Sequence, residues 1–241
     1  MKKIRSCVVL LQMIFVWTSS GFAQTAKDYF KEGIFKSQEG DYYGAILDFD
    51  NAIKQDTFYA KAYNNRGIAH FKLFKFVDAI KDFNTAIILQ PTLLDAYYNR
   101  AIAKGSLGDY NGAIRDLNKT LELDSTLLDA YNNRGIAEAS LGWYKEALRD
   151  FNKIISINPD YDDIYYNRAR VRDQLGEHEG AIEDFNKAIE LNPTLGDAFF
   201  NRGLVKDHMG DFSGACQDWS RAGELQQYGA YDCLLYTSRC V

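Results

Sequence analysis

Proline is almost missing from this chain: 3 residues in 241. Pro91, Pro159 and Pro193 lie far apart, so long stretches are free to remain helical. Histidine is as rare, and His70, His178 and His208 show no metal-ligand spacing to one another. No His or Cys cluster exists, so neither a metal nor any cofactor is expected. There is also no Gly-rich phosphate loop, no G-x-S-x-G, and no Ser/His/Asp set standing outside the repeat pattern described below. The chain is therefore not expected to be an enzyme, and no catalytic residue is assigned. Long apolar runs are missing too: none reaches the roughly 18 residues that a membrane span needs. Cations are outnumbered, 28 Lys and Arg against 33 Asp and Glu, for a formal net charge of -5. Nucleic acid and acidic membrane surfaces, which favour basic patches, are unexpected partners. With 46% hydrophobic and 25% charged residues, the composition is that of an ordered protein.

Residues 1–23 differ from the rest. Lys2, Lys3 and Arg5 precede an apolar run from Cys7 to Trp17, and small residues at Gly21 and Ala23 offer a cleavage site before Gln24. The pattern is that of a signal peptide, and an exported protein (periplasmic, cell-envelope associated or secreted) is expected. An uncleaved anchor is the alternative, disfavoured by the short apolar run. Removing Met1–Ala23 takes away three positive charges and no negative ones, lowering the formal charge from -5 to -8.

What the chain has in abundance is itself. AYNNRGIA occurs at Ala62–Ala69 and at Ala130–Ala137, with AYYNRAIA halfway between at Ala96–Ala103. The period is 34 residues, and Arg66, Arg100, Arg134, Arg168 and Arg202 keep it, each preceded by Asn. Ala45, Ala79, Ala113, Ala147, Ala181 and Ala215 form a second column. Phe49, Phe83, Leu117, Phe151, Phe185 and Trp219 form a third, each preceded by Asp. Six registers follow, at 26–59, 60–93, 94–127, 128–161, 162–195 and 196–229, with an irregular tail over 230–241.

Each register holds two helical stretches. In the fourth, Leu128–Leu141 ends at Gly142, and Lys145–Ile157 is amphipathic, with Ala147, Leu148, Phe151, Ile154 and Ile155 at helical spacing. Asn158-Pro159 ends the second stretch, because the residue before proline is pushed out of the helical region. A pair this small cannot bury its apolar face alone, so neighbouring pairs must stack. Gly67, Ala101, Gly135, Ala169 and Gly203 keep one side of the first helix small against the aromatic column of the second. The tyrosine column (Tyr29, Tyr63, Tyr97, Tyr131, Tyr165, with Phe199) is assigned to the core. The Arg and Asp columns suggest a brace between helices, since charges near a core must be paired. Both Asp82 with Arg66 inside a unit and Asp48 with Arg66 across units satisfy the spacing.

These columns, with the Gly108-Asp109-Tyr110 turn, Ala86 and Pro91, resemble the tetratricopeptide repeat from Ala26 to Gly229. The resemblance implies an all-α, right-handed superhelical array of six antiparallel helix pairs whose first helices line a concave groove. Departures occur at Phe74-Lys75-Phe76, which replaces the turn, and at Thr120 and Ile154, where a small residue is usual; both hint at local loosening. The resemblance also implies a non-catalytic scaffold that binds a protein or extended peptide along the groove. Asn65, Asn99, Asn133, Asn167 and Asn201 would then form a hydrogen-bonding ladder to the peptide backbone. Asn64, Tyr98, Asn132, Tyr166 and Phe200 would lie beside it, with Ile136 or Ala137 one turn above Asn133. The alternative for the Asn row is that it bonds neighbouring helices. Lys61, Asn65 and Asn99 open a set similar to one that holds a C-terminal carboxylate, but Asp129 falls where the next element belongs, so that clamp is incomplete. Rival functions are a structural spacer of a cell-envelope assembly, held through the convex face or the array ends, and a fragment of a larger chain.

Cys216, Cys233 and Cys240 would remain after processing, an odd number that points to a free or intermolecular thiol in an exported chain. The segment CLLYTS at Cys233–Ser238, however, matches what a transposase adaptor encodes in one frame, so residues 233–241 are expected to be an artefact.

Overall fold

Helices here are short because the sequence stops them on schedule. The computed structural model describes residues 24–161 and 163–226, and among them it contains α-helices and no strand. They pair as α1 (Ala26–Gln38) with α2 (Tyr42–Gln55), α3 (Ala60–Lys72) with α4 (Phe76–Leu89), and α5 (Leu94–Ser106) with α6 (Tyr110–Leu123). The series continues with α7 (Leu128–Ser140) and α8 (Tyr144–Ile157), α9 (Ile164–Gln174) and α10 (His178–Leu191), and α11 (Gly196–His208) and α12 (Phe212–Glu224). Residues 1–23, where a signal peptide is expected, and the Cys233–Val241 tail lie outside the described residues; Cys216 on α12 is disulfide-bonded.

Two devices end the helices. Inside each pair, a left-handed residue breaks the first helix, as at Gly108 (φ 80°) and Gly142 (φ 79°). Where Asp follows, its side chain caps the next helix: Asp109 Oδ1 accepts from Gly112 N–H at 2.9 Å. Between pairs, the closing residue is extended, Asn158 before Pro159 having φ -134° and ψ 95°.

The second pair corrects the expected loosening. Phe74 takes the glycine position at φ 59°, and the turn keeps its bond from Lys75 N–H to His70 O at 2.9 Å. The same bond joins Asp109 N–H to Lys104 O at 2.9 Å in the third pair. The fold holds, at a cost of about 1 kcal/mol for a bulky residue in that region. Thr120 and Ile154 do not loosen their pairs either, as both are fully buried and Thr120 Oγ1 donates to Asp116 O at 3.0 Å.

The core runs through the array as a chain of clusters, each shared by adjacent pairs. Phe49, Phe83, Leu117, Phe151, Phe185 and Trp219 are all at most 2% exposed. Gly135 shows why the facing position is small: a Cβ there would sit 2.5 Å from the Phe151 ring. In the third pair the smaller Leu117 leaves room for Ala101, which shares its cluster. Successive first helices touch one another, from α1 against α3 to α9 against α11, while successive second helices make no comparable contact. The array therefore curves with its first helices on the inner side.

Candidate partner-binding groove

The first helices from α3 onward, α3, α5, α7, α9 and α11, are each locked in place by an arginine. The Nε and Nη2 of Arg66, Arg100, Arg134, Arg168 and Arg202 donate in parallel to Asp82, Asp116, Asp150, Asp184 and Asp218 at 2.5–2.9 Å. The brace is thus within the unit; Asp48, the cross-unit candidate, pairs with Lys36 at 2.7 Å. The cross-unit link uses the remaining donor. Nη1 reaches back to Asp50, Asn84, Asn118, Asn152 and Asn186 of the preceding pair at 2.5–2.7 Å. Sequence reasoning missed that Asx column, although it recurs one residue after each member of the core column from Phe49 to Phe185. Tyr63, Tyr97, Tyr131, Tyr165 and Phe199 lie beneath the guanidiniums at 5.4–5.6 Å, so the tyrosine column supports the clasp. Planar, bidentate and stacked, the arginine fixes the helix orientation that presents the inner face.

One turn of that inner face carries the asparagine row, and the structure gives each amide donor an intramolecular acceptor. Asn99 donates to Asn64 Oδ1 at 3.3 Å, Asn133 to the Tyr98 hydroxyl at 3.0 Å, Asn167 to Asn132 Oδ1 at 3.1 Å, and Asn201 to the Tyr166 hydroxyl at 3.3 Å. Asn133 and Asn201 spend a second donor on the carbonyls of Asp129 and Asp197, both at 2.8 Å, and Asn65 donates to Lys61 O at 2.8 Å. The donors thus tie successive first helices together. The acceptor Oδ1 of each of the five takes no hydrogen bond from the described residues.

The expected neighbours divide. Tyr98, Asn132, Tyr166 and Phe200 are half-buried beside the row. Burial raises the Tyr98 and Tyr166 phenols above the ordinary tyrosine range, holding them neutral as acceptors. Asn64 is only 5% exposed, so its side chain belongs to the helix interface beneath the surface. One turn above Asn133 the groove residue is Ile136, 40% exposed, and not Ala137, which is buried. A cavity of about 620 Å³ opens between α7, α9 and α11, with Ile136, Asn167, Arg170, Val171, Asn201 and Leu204 on its walls. A second, of about 330 Å³, lies between α5, α6 and α7 and shares Ile136 and Ser140 with the first.

The family is now decided on two independent grounds. Profiles of the tetratricopeptide repeat match residues 60–93, 94–127, 128–161 and 163–195. The chain belongs to the tetratricopeptide repeat family. Solved tetratricopeptide arrays share its fold. MamA is 26% identical, with 67% of this chain and 94% of that one covered at a TM-score of 0.63. A tetratricopeptide repeat protein from Parabacteroides merdae ATCC 43184 is 24% identical, covering 87% and 83% at 0.65. PilW, described as a type IV pilus biogenesis factor, is 19% identical, covering 89% and 96% at 0.73. Comparison with curated protein sequences finds no match. Tetratricopeptide arrays are in general non-catalytic protein-interaction modules, and the fold of this chain is that of a protein-interaction scaffold.

One tetratricopeptide unit places an acid where the other five carry a basic residue type. Four residues after the arginine position stand Lys36, His70, Lys104, Arg172 and Lys206, at 2.7–3.7 Å from the buried Asp of their own pair. In the fourth unit the residue is Glu138, which is 8% exposed, and its Oε2 has no hydrogen-bond partner. Its nearest cation, Arg134, lies 4.0 Å away and is engaged with Asp150. Burial, reinforced by the Asp150 carboxylate, pushes the Glu138 carboxyl up to about 7.

Proposed function

We propose that this array is a non-catalytic scaffold that binds an extended protein segment along the inner face of its first helices. The observation that carries this is the pair of cavities on that face, joined at Ile136 and bordered by asparagine acceptors. Oδ1 atoms arranged once per repeat suit backbone N–H groups of a chain lying along the array, and the cavities suit its side chains. The column at the entrance to the first helices holds Lys27 and Lys61, then Asp95, Asp129, Asp163 and Asp197. A bound segment therefore places its more basic portion toward the acidic, C-terminal units.

Replacing Asn99, Asn133 and Asn167 together by Ala is expected to weaken binding of an affinity-captured partner by roughly 2–4 kcal/mol, at 0.5–1.5 kcal/mol for each hydrogen bond. The fold is expected to survive, because Ala favours a helix more than Asn and the Arg clasps remain. Isothermal titration together with circular dichroism checks both points. Full affinity in the folded triple variant would instead favour a spacer held through its convex side, where Leu47, Val77 and Ile88 are exposed on second helices. We propose further that the chain is exported and processed before Gln24, on the charge and hydrophobicity pattern of residues 1–23. Intact-protein mass spectrometry is expected to find Gln24 at the mature N-terminus; a mature chain retaining Met1–Ala23 overturns it.

A further inference from the structure

The groove has an apolar stripe with a single charged interruption. Three residues after each position of the asparagine column stand Ile34, Ile68, Ile102, Ile136, Arg170 and Leu204. In five units this position is aliphatic and partly open to solvent; in the fifth it is an exposed arginine. Unlike the clasp arginines, Arg170 forms no ion pair among the described residues. Its guanidinium lies 5.7 Å from the Tyr166 ring, which aligns the side chain along the inner face. It stands on the wall of the 620 Å³ cavity, whose apolar surface includes Ile136, Val171 and Leu204. The one carboxylate on that wall, Asp173, is turned to His178, whose Nδ1 lies 3.0 Å from its Oδ1. His208 and the Tyr144 phenol are the remaining titratable groups on the wall.

A pocket of this volume, with Ile136, Val171 and Leu204 forming an apolar part of a mixed wall, admits a leucine- or phenylalanine-sized side chain with room for adjoining backbone. A cation on its wall, unpaired and held by an aromatic face, is complementary to an anion beside that side chain. We propose that the partner segment carries an anchor motif: a bulky apolar residue that fills this cavity, with an Asp or Glu one or two residues away held by Arg170. The proposal rests on the groove assignment and adds to it the chemistry of the segment and the unit that selects it. Arg170 lies two turns of helix beyond Asp163, so the anchor's carboxylate is held apart from the basic portion of the segment that the acidic entrance receives.

The test is selection from a random library of nonapeptides, acetylated and amidated so that no terminal charge contributes. The full chain, Arg170→Ile, Arg170→Gln and the Asn99/Asn133/Asn167 triple-Ala variant serve as baits. Arg170→Ile restores the aliphatic column and Arg170→Gln keeps a polar surface, so at least one is expected to retain native helicity. From the unmodified chain, the selected pool is expected to show an apolar residue followed or preceded closely by Asp or Glu. Both Arg170 variants are expected to lower that acidic enrichment roughly ten-fold while keeping the apolar preference, the loss of one charge-assisted contact. Acidic enrichment that is absent from the unmodified chain, or persists in both variants, overturns the anchor motif. The groove assignment then still stands if the triple variant loses the pool. A library that yields no enriched sequence on the unmodified chain overturns both.

Discussion

Replacing Phe151 by alanine is expected to cost about 3–5 kcal/mol of folding free energy. Phe151 is 1% exposed, and its ring edge occupies the space that Gly135 leaves open on the facing helix. Around it lie Ala147 and Ile154 of its own unit and Ile164 and Val171 of the next. Truncation therefore removes buried area and leaves a void that rigid helices on both sides cannot close. Because the cluster spans two units, the loss acts on their interface as well as within one pair. Hydrogen exchange is expected to accelerate across α7 to α10 before it does in the first pair. Denaturant unfolding monitored by circular dichroism measures the cost; a midpoint unchanged within error would refute the core assignment.

The same geometry explains how much of the fold is legible in the sequence. The period placed Phe151 against Gly135 because size complementarity repeats in every unit, and helix ends were legible because Gly and Pro act locally. The Arg–Asp brace was legible as a pairing but not in its direction. Spacing alone satisfied Asp48 and Asp82 equally, and only the approach of α3 to α4 decides for Asp82. The third guanidinium donor was missed because its acceptor changes from Asp50 to Asn84, and a column of mixed residue types is hard to see. The fate of the asparagine donors was hidden for the same reason. Their acceptors alternate between Asn and Tyr, so the link between successive first helices emerges only once those helices are in contact. Ile136 and Ala137 were equivalent at one-turn spacing, and the curvature of the array separates them. Arg170 and Glu138 are both departures from otherwise consistent columns, which is the sequence signal that leads to them.

Glu138 yields the second large effect, and its sign is unusual for a carboxylate. Most paired carboxylates have depressed values and weaken a fold as pH falls. Glu138 is raised, from an ordinary 4.5 to about 7, by burial first and then by Asp150, with Arg134 opposing; Glu146 adds to the rise and Arg149 opposes it. The folded chain thus keeps this proton over a range in which the unfolded chain has released it. The favourable contribution is complete below about pH 4.5 and is lost as pH rises through about 7. At pH 8 the fourth unit holds two buried carboxylates on one arginine. Glu138→Gln removes the titration and keeps the shape, so it is expected to match the parent near pH 5 and to exceed it by roughly 2 kcal/mol at pH 8. Glu138→Lys goes further by restoring the arrangement at Lys104, whose Nζ lies 2.7 Å from Asp116. It is expected to be the most stable of the three at pH 8, with the gain concentrated in α7 and α8. Urea unfolding of all three at pH 5, 6, 7 and 8 reads this directly. Parallel pH profiles for the parent and Glu138→Gln, or a Glu138→Lys chain less stable than the parent, would show that the carboxyl is not held protonated by the fold.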